Sequence, residues 1–200
     1  MPGVALAVSA AYLAVVFGWR TWWQIRATGS SGFHGISGSP RTPEWWGGVL
    51  FVAALAVGLA APVLQIAGVL EPVAAVDGTV GRAVGGAFVL AGALSTVLAQ
   101  RAMGVAWRIG VDTQERTELV TSGLFAVVRN PVFTAMVLAA AGIALLAPNP
   151  AAIGAVVLLV LAIELQVRGA EEPYLAAVHG DAYARYAASV GRLVPGVGRR

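Results

Sequence analysis

The chain has 200 residues, 58% hydrophobic and 12% charged, with a formal charge of +3 and a mean hydropathy of +0.78. Soluble globular domains carry roughly 25% charged residues, so the composition excludes an ordinary soluble domain and predicts an all-α integral membrane protein. All 13 basic residues are arginine and cysteine is absent, which excludes disulfides, thiolate catalysis and cysteine metal sites.

A membrane-crossing helix needs about 20 mostly apolar residues, and the first such run is Val4–Trp22. It lacks a charged leading region and a small-residue cleavage site, so it reads as a retained helix rather than a signal peptide. The loop Arg26–Trp46 that follows is rich in glycine and serine. Backbone amides in such a loop can wrap a phosphate, but no phosphate-loop pattern is present and the segment reads as a flexible connector. His34 has no second histidine nearby, and no metal site is expected. Trp45 and Trp46 suit an interfacial aromatic belt.

The second run is Gly47–Leu70 and the third Val84–Leu98, whose ends extend toward Gly81 and Gln100. The loop Arg101–Gly123 has mixed charge. Within it, Trp107 and Arg108 suit two roles equally: lining a pocket for an amphiphilic substrate, or anchoring the membrane interface. The fourth run, Pro131–Leu146, and the fifth, Ala151–Leu165, are separated only by the uncharged turn Ala147–Ala151, so they form an antiparallel hairpin.

Five transmembrane helices result. Residues 1–100 form an N-terminal three-span region, and residues 101–200 hold two spans and most of the polar side chains. Five spans bring all the arginine-rich segments to one face: Arg20, Arg26 and Arg41; Arg101, Arg108, Arg116 and Arg129; and Arg168, Arg185, Arg192, Arg199 and Arg200. Positive charge marks the cytoplasmic side, which puts the N-terminus outside and the C-terminus in the cytoplasm, as in a prokaryotic cell membrane. A basic membrane face serves topology rather than nucleic-acid binding. Membrane lipids are the expected neighbours, and nothing in the pattern sets an oligomeric state.

The tail has helix signals of its own. Pro173 fits a first helical turn, Gly180 a stop, Asp181 an N-cap and Gly191 a second stop. Short amphipathic helices are expected over Pro173–His179 and Ala182–Val190, with Tyr183 and Tyr186 on one face.

The stretch FAVVRNPVF (Phe125–Phe133) opens the fourth span. Asparagine is a favoured N-cap and proline a favoured first helical residue, which accounts for Asn130 and Pro131. Arg129 is either a residue that snorkels to lipid phosphates or, beside a helix N-terminus, part of an anion site. The hairpin brings Arg129–Pro131 to the same membrane edge as Glu164–Glu172. The acidic and basic groups there form either a structural ion-pair network or a functional site.

The two segments GLFAVVRNPVF (Gly123–Phe133) and RGAEEPYLAAVHGDAYARY (Arg168–Tyr186) resemble the paired motifs of the isoprenylcysteine carboxyl methyltransferase and phospholipid methyltransferase superfamily of membrane enzymes. The resemblance covers about Trp107–Pro195. It implies S-adenosylmethionine as methyl donor and a lipophilic small-molecule or lipid acceptor that enters from the bilayer. It also implies that Arg129, Asn130, Pro131, Glu171, Glu172 and Tyr183 contact the cofactor. Glu172 and Arg168 would be catalytic, with Trp107, Arg108 and Tyr186 toward the substrate. Where the family has a histidine this chain has Asn130, which hydrogen-bonds but does not titrate, and where it has a tyrosine this chain has Phe133. Carboxyl O-methylation and phospholipid N-methylation are both compatible. An NADPH-dependent membrane reductase of related architecture and a non-enzymatic membrane subunit are the readings outside the family.

Overall fold

The computed structural model describes residues 1–32, 35–36, 38–104 and 118–200. Among them the architecture is all-helical, with no β-strand. Helix α1 spans Pro2–Thr28, α2 Pro43–Ile66 and α3 Thr79–Met103. Helix α4 spans Pro131–Leu146 and α5 Pro150–Gln166; α5 runs through a π-helical turn, Val167–Glu171, into α6, Glu172–His179. Helix α7 spans Asp181–Ser189. Helices α1, α2, α3 and the rod Pro150–His179 are long and apolar enough to cross a membrane, and α4 is a shorter apolar helix. At 16 residues α4 is about 24 Å long.

Three helices run past their apolar cores, the fifth expected span, Ala151–Leu165, continuing to His179. The first expected span, Val4–Trp22, runs on to Thr28, and the third, Val84–Leu98, takes in both Arg82 and Arg101. Hydropathy marks only the hydrocarbon core, whereas the backbone ladder continues into the interface until a residue breaks it. In α1 the breaker is Gly29, left-handed at φ 77. In the tail, Gly180 takes the cap of α7, and Asp181 sits in the first turn rather than at the expected N-cap.

Small residues set the packing. A Cβ on Gly92 would lie 2.7 Å from the carbonyl oxygen of Ala135 and 2.7 Å from the nitrogen of Ala139; one on Gly142 would lie 2.6 Å from the oxygen of Gly85. Helices α3 and α4 therefore touch backbone to backbone, the close approach that association in lipid favours. Gly47 does the same for α2 against α5, where a Cβ would meet the nitrogen of Gln166 at 3.0 Å.

Polar ties hold α1 to α3. A π-helical turn at Ala14–Trp19 frees the carbonyl of Val16, which accepts from Gln100 Nε2 at 3.1 Å. The hydroxyls of Tyr12 and Thr96 are 3.1 Å apart, and buried Arg20 donates to the carbonyl of Gly104. The α4–α5 turn is pinned by fully buried Asn149. Its Oδ1 caps α5 through the nitrogen of Ala152 at 2.9 Å, while Nδ2 donates to Gln65 Oε1 at 2.9 Å and to the Ala61 carbonyl at 3.3 Å. An apolar cavity of about 70 Å³ lies between α1, α2, α4 and α5, with Tyr12, Leu55, Met136 and Leu159 on its wall.

Candidate active site

The hairpin fixes the site. Its short turn makes α4 and α5 antiparallel, so the start of α4 and the continuation of α5 into α6 meet at one end of the bundle. Arg129 stands just before α4 and Glu172 opens α6. Arg129 Nη2 donates to Glu172 Oε1 at 2.8 Å, and each side chain is 2% exposed. The other Arg129 donors go to main-chain carbonyls: Ala187 at 2.9 Å, Val190 at 2.5 Å and Gly198 at 3.0 Å. Its Nε is buried with no hydrogen-bond partner.

Residues 191–200 close over this pair. Val128 and Gly191 form an isolated parallel bridge, and Arg129 N donates to Gly191 O at 2.8 Å. From this strap Arg192 donates Nε to Glu172 Oε1 at 2.7 Å and Nη2 to Oε2 at 3.1 Å. Arg200 Nη2 lies 3.1 Å from Oε2. One buried carboxylate thus faces three guanidinium groups. Contact with Glu172 raises the pKa of Arg192 further, so both partners stay charged.

Asn130 occupies the N-cap position of α4, but its side chain makes no cap bond. Nδ2 instead donates to the carbonyl of Arg192 at 3.2 Å, and the backbone nitrogen donates to the same oxygen at 3.1 Å. Thr134, one turn into α4, donates to Leu193 O at 2.7 Å. Buried Pro131 is the first residue of α4, as its fixed φ favours.

Tyr183 and Tyr186 project from one face of α7 and pack edge to face, ring centroids 6.4 Å apart. Tyr186 donates to the carbonyl of Phe125 at 2.6 Å, and burial pushes its hydroxyl up to about 12. Tyr183 is buried beside Glu172 and Arg129; burial, with the Glu172 charge, raises its pKa as well.

The structure therefore brings together Arg129, Asn130, Pro131, Glu172, Tyr183 and Tyr186. Arg168 stands apart on an exposed face, its Nε 2.5 Å from Glu164 Oε2. Glu171 is half-buried at the end of the π-helical turn. Trp107, Arg108 and His34 lie outside the described residues. Sequence reasoning missed Arg192 and Arg200, which it used only to orient the chain. The available signal was a glycine stop, Gly191, followed by a short arginine-bearing tail.

The family model described as Phospholipid methyltransferase matches residues 80–182, from the start of α3 to the second residue of α7. The match takes in Arg129 and Glu172 and stops short of Tyr183, Arg192 and Arg200. No curated protein and no solved structure matches the chain. Matched over more than half of its length, and built as an all-helical bundle with membrane-crossing helices, the chain belongs to the phospholipid methyltransferase family of membrane methyl-transfer enzymes.

Proposed function

We propose that this chain transfers the methyl group of S-adenosylmethionine to the carboxylate of a lipophilic, membrane-embedded acceptor, in the manner of isoprenylcysteine carboxyl methyltransferases. The residues present suit that donor. Arg129 keeps one buried N–H without a partner, and Glu172 has a 56% exposed partner, Arg200, that a ligand's hydroxyl or ammonium group can replace. Bound there, the donor supplies a methyl carbon on a sulfonium, which an acceptor oxygen attacks in line while the thioether leaves.

The observation that carries the acceptor class is the state of Glu172. Four N–H contacts from Arg129, Arg192 and Arg200 engage its two oxygens, and a carboxylate has about four lone-pair sites. It acts by charge and orientation and is a poor proton acceptor. A carboxylate acceptor suits such a site, because its methylation releases no proton. Exposed Arg168 and half-exposed Arg200 offer cations to that acceptor or to the donor's own carboxylate. The protein's task is then to align donor and acceptor and to exclude water. Buried Tyr183 and Tyr186 help with the second. The apolar cavity between α1, α2, α4 and α5 gives hydrocarbon somewhere to lie.

The family match favours a second reading, phospholipid N-methylation. A primary or secondary amine must lose a proton, and with both Glu172 oxygens engaged the neighbouring Glu171 is the candidate base for this reading. In both readings the arginine-rich helix ends face the cytoplasm of a prokaryotic cell and the amino terminus lies outside.

Calorimetric titration of the detergent-solubilised protein with S-adenosylhomocysteine, with NADPH as the parallel ligand, tests the reading. Saturable binding of S-adenosylhomocysteine alone is expected. Binding of NADPH alone would make the chain a reductase, and binding of neither by folded protein would remove the cofactor site.

A further inference from the structure

Glu172 needs one cation for neutrality, and Arg129 already supplies it from a fully buried position. A second buried arginine costs desolvation without being needed for charge balance. Arg192 is nevertheless buried, 7% exposed, against the same carboxylate. What distinguishes it is geometry. Arg129 and Arg200 each meet one oxygen of Glu172, whereas the Arg192 fork meets both, at 2.7 and 3.1 Å. Only a two-point contact fixes the rotation of a carboxylate about its own axis.

The main chain of the same residue holds the other half of the site. The Arg192 carbonyl accepts from both the nitrogen and Nδ2 of Asn130, and its own nitrogen donates to Val197 O at 2.7 Å. The turn from Gly191 to Val197 is tight enough that a Cβ on Gly191 would sit 2.2 Å from Val194 O, so the strap has little freedom to carry Arg192 elsewhere.

We propose that Arg192 is a positioning residue for methyl transfer: its fork fixes the Glu172 carboxylate while its carbonyl fixes Asn130, holding the two motif segments in one geometry. The proposal rests on the methyltransferase reading. It adds a residue beyond both sequence motifs and beyond the matched residues 80–182.

A residue that merely balances charge is replaceable by lysine, whereas a two-point orienting residue is not. The test is S-adenosylhomocysteine titration of wild type, Arg192→Lys and Arg192→Gln in detergent, each with its melting temperature, and with exposed Arg185→Gln as control. Both Arg192 variants should lose affinity on the order of tenfold, the worth of one charge-assisted hydrogen bond. Arg192→Lys should do so with a melting temperature close to wild type. Wild-type affinity in Arg192→Lys would overturn the positioning role and leave the methyltransferase reading intact. Affinity lost in proportion to melting temperature in both variants would make Arg192 a structural tie only. Absence of binding in the folded wild type would overturn the methyltransferase reading, and this proposal with it.

Discussion

Arg129 and Glu172, 43 residues apart, meet at 2.8 Å with both side chains almost wholly removed from solvent. Removing one partner of a buried pair leaves an uncompensated charge and costs about 3–5 kcal/mol, whereas replacing both with apolar groups costs much less. Glu172→Met should therefore be strongly destabilising, because it strands Arg129 and Arg192. Arg129→Met together with Glu172→Met should lose less than the sum of the single changes. Denaturant titration in detergent as a double-mutant cycle checks this; additivity would show that the pair is not coupled.

Gly92 and Gly86 lie on the same helix in opposite circumstances. A methyl group on Gly92 would run into the backbone of Ala135 and Ala139, while one on Gly86 meets nothing within 4 Å. Backbone cannot move aside as a side chain can. Gly92→Ala should cost about 1–3 kcal/mol, and Gly86→Ala should be neutral or slightly stabilising. Melting temperatures of the two variants in one detergent decide; equal values would refute the close α3–α4 contact.

Asn149 combines a helix cap with two ties to α2. Asn149→Ala should cost about 2 kcal/mol, the upper range for a lost cap, because it also strands buried acceptors. Asn149→Ser keeps a neutral cap acceptor and loses the amide donors, so its stability should fall between alanine and wild type. A ranking with serine no better than alanine would mean that the cap contributes nothing.

Tyr186 gives the site an alkaline limit. Its pKa is raised from 10.0 to about 12 by burial, so the folded state holds the proton more tightly than the unfolded chain. Its contribution is whole below pH 10 and is lost as pH climbs toward 12. Melting temperature should fall across that window, and Tyr186→Phe, which does not titrate, should flatten the fall while lowering stability at neutral pH through loss of the bond to Phe125 O. An unchanged alkaline slope in the variant would assign the limit to another group.

Much of this was legible in the sequence. Apolar runs predicted the five helices, because lipid forces every buried backbone group into a helix and leaves few alternatives. The short turn at Ala147–Ala151 made the hairpin, and the hairpin placed Arg129 near Glu172. Charge could not reveal the strap. Arg192 and Arg200 carry the same positive sign as every other arginine at that edge, so their partner depends on how a short glycine-bearing segment folds back. The role of Asn130 was likewise hidden. Local pattern predicts a cap through Oδ1, but Oδ1 makes no cap bond and the side-chain amide donates to a tertiary acceptor, the Arg192 carbonyl. Two proposed substrate-side residues, Trp107 and Arg108, stand outside the described residues.

The strap has a consequence for how the protein is made. Glu172 is synthesised after Arg129 but before Arg192 and Arg200, so when the hairpin enters the membrane the carboxylate has only one of its three cations. Residues 191–200 complete the set once they leave the ribosome. A chain arrested before Arg192 would hold all five membrane helices and a Glu172 paired with Arg129 through Oε1, its Oε2 still without the Arg192 and Arg200 contacts.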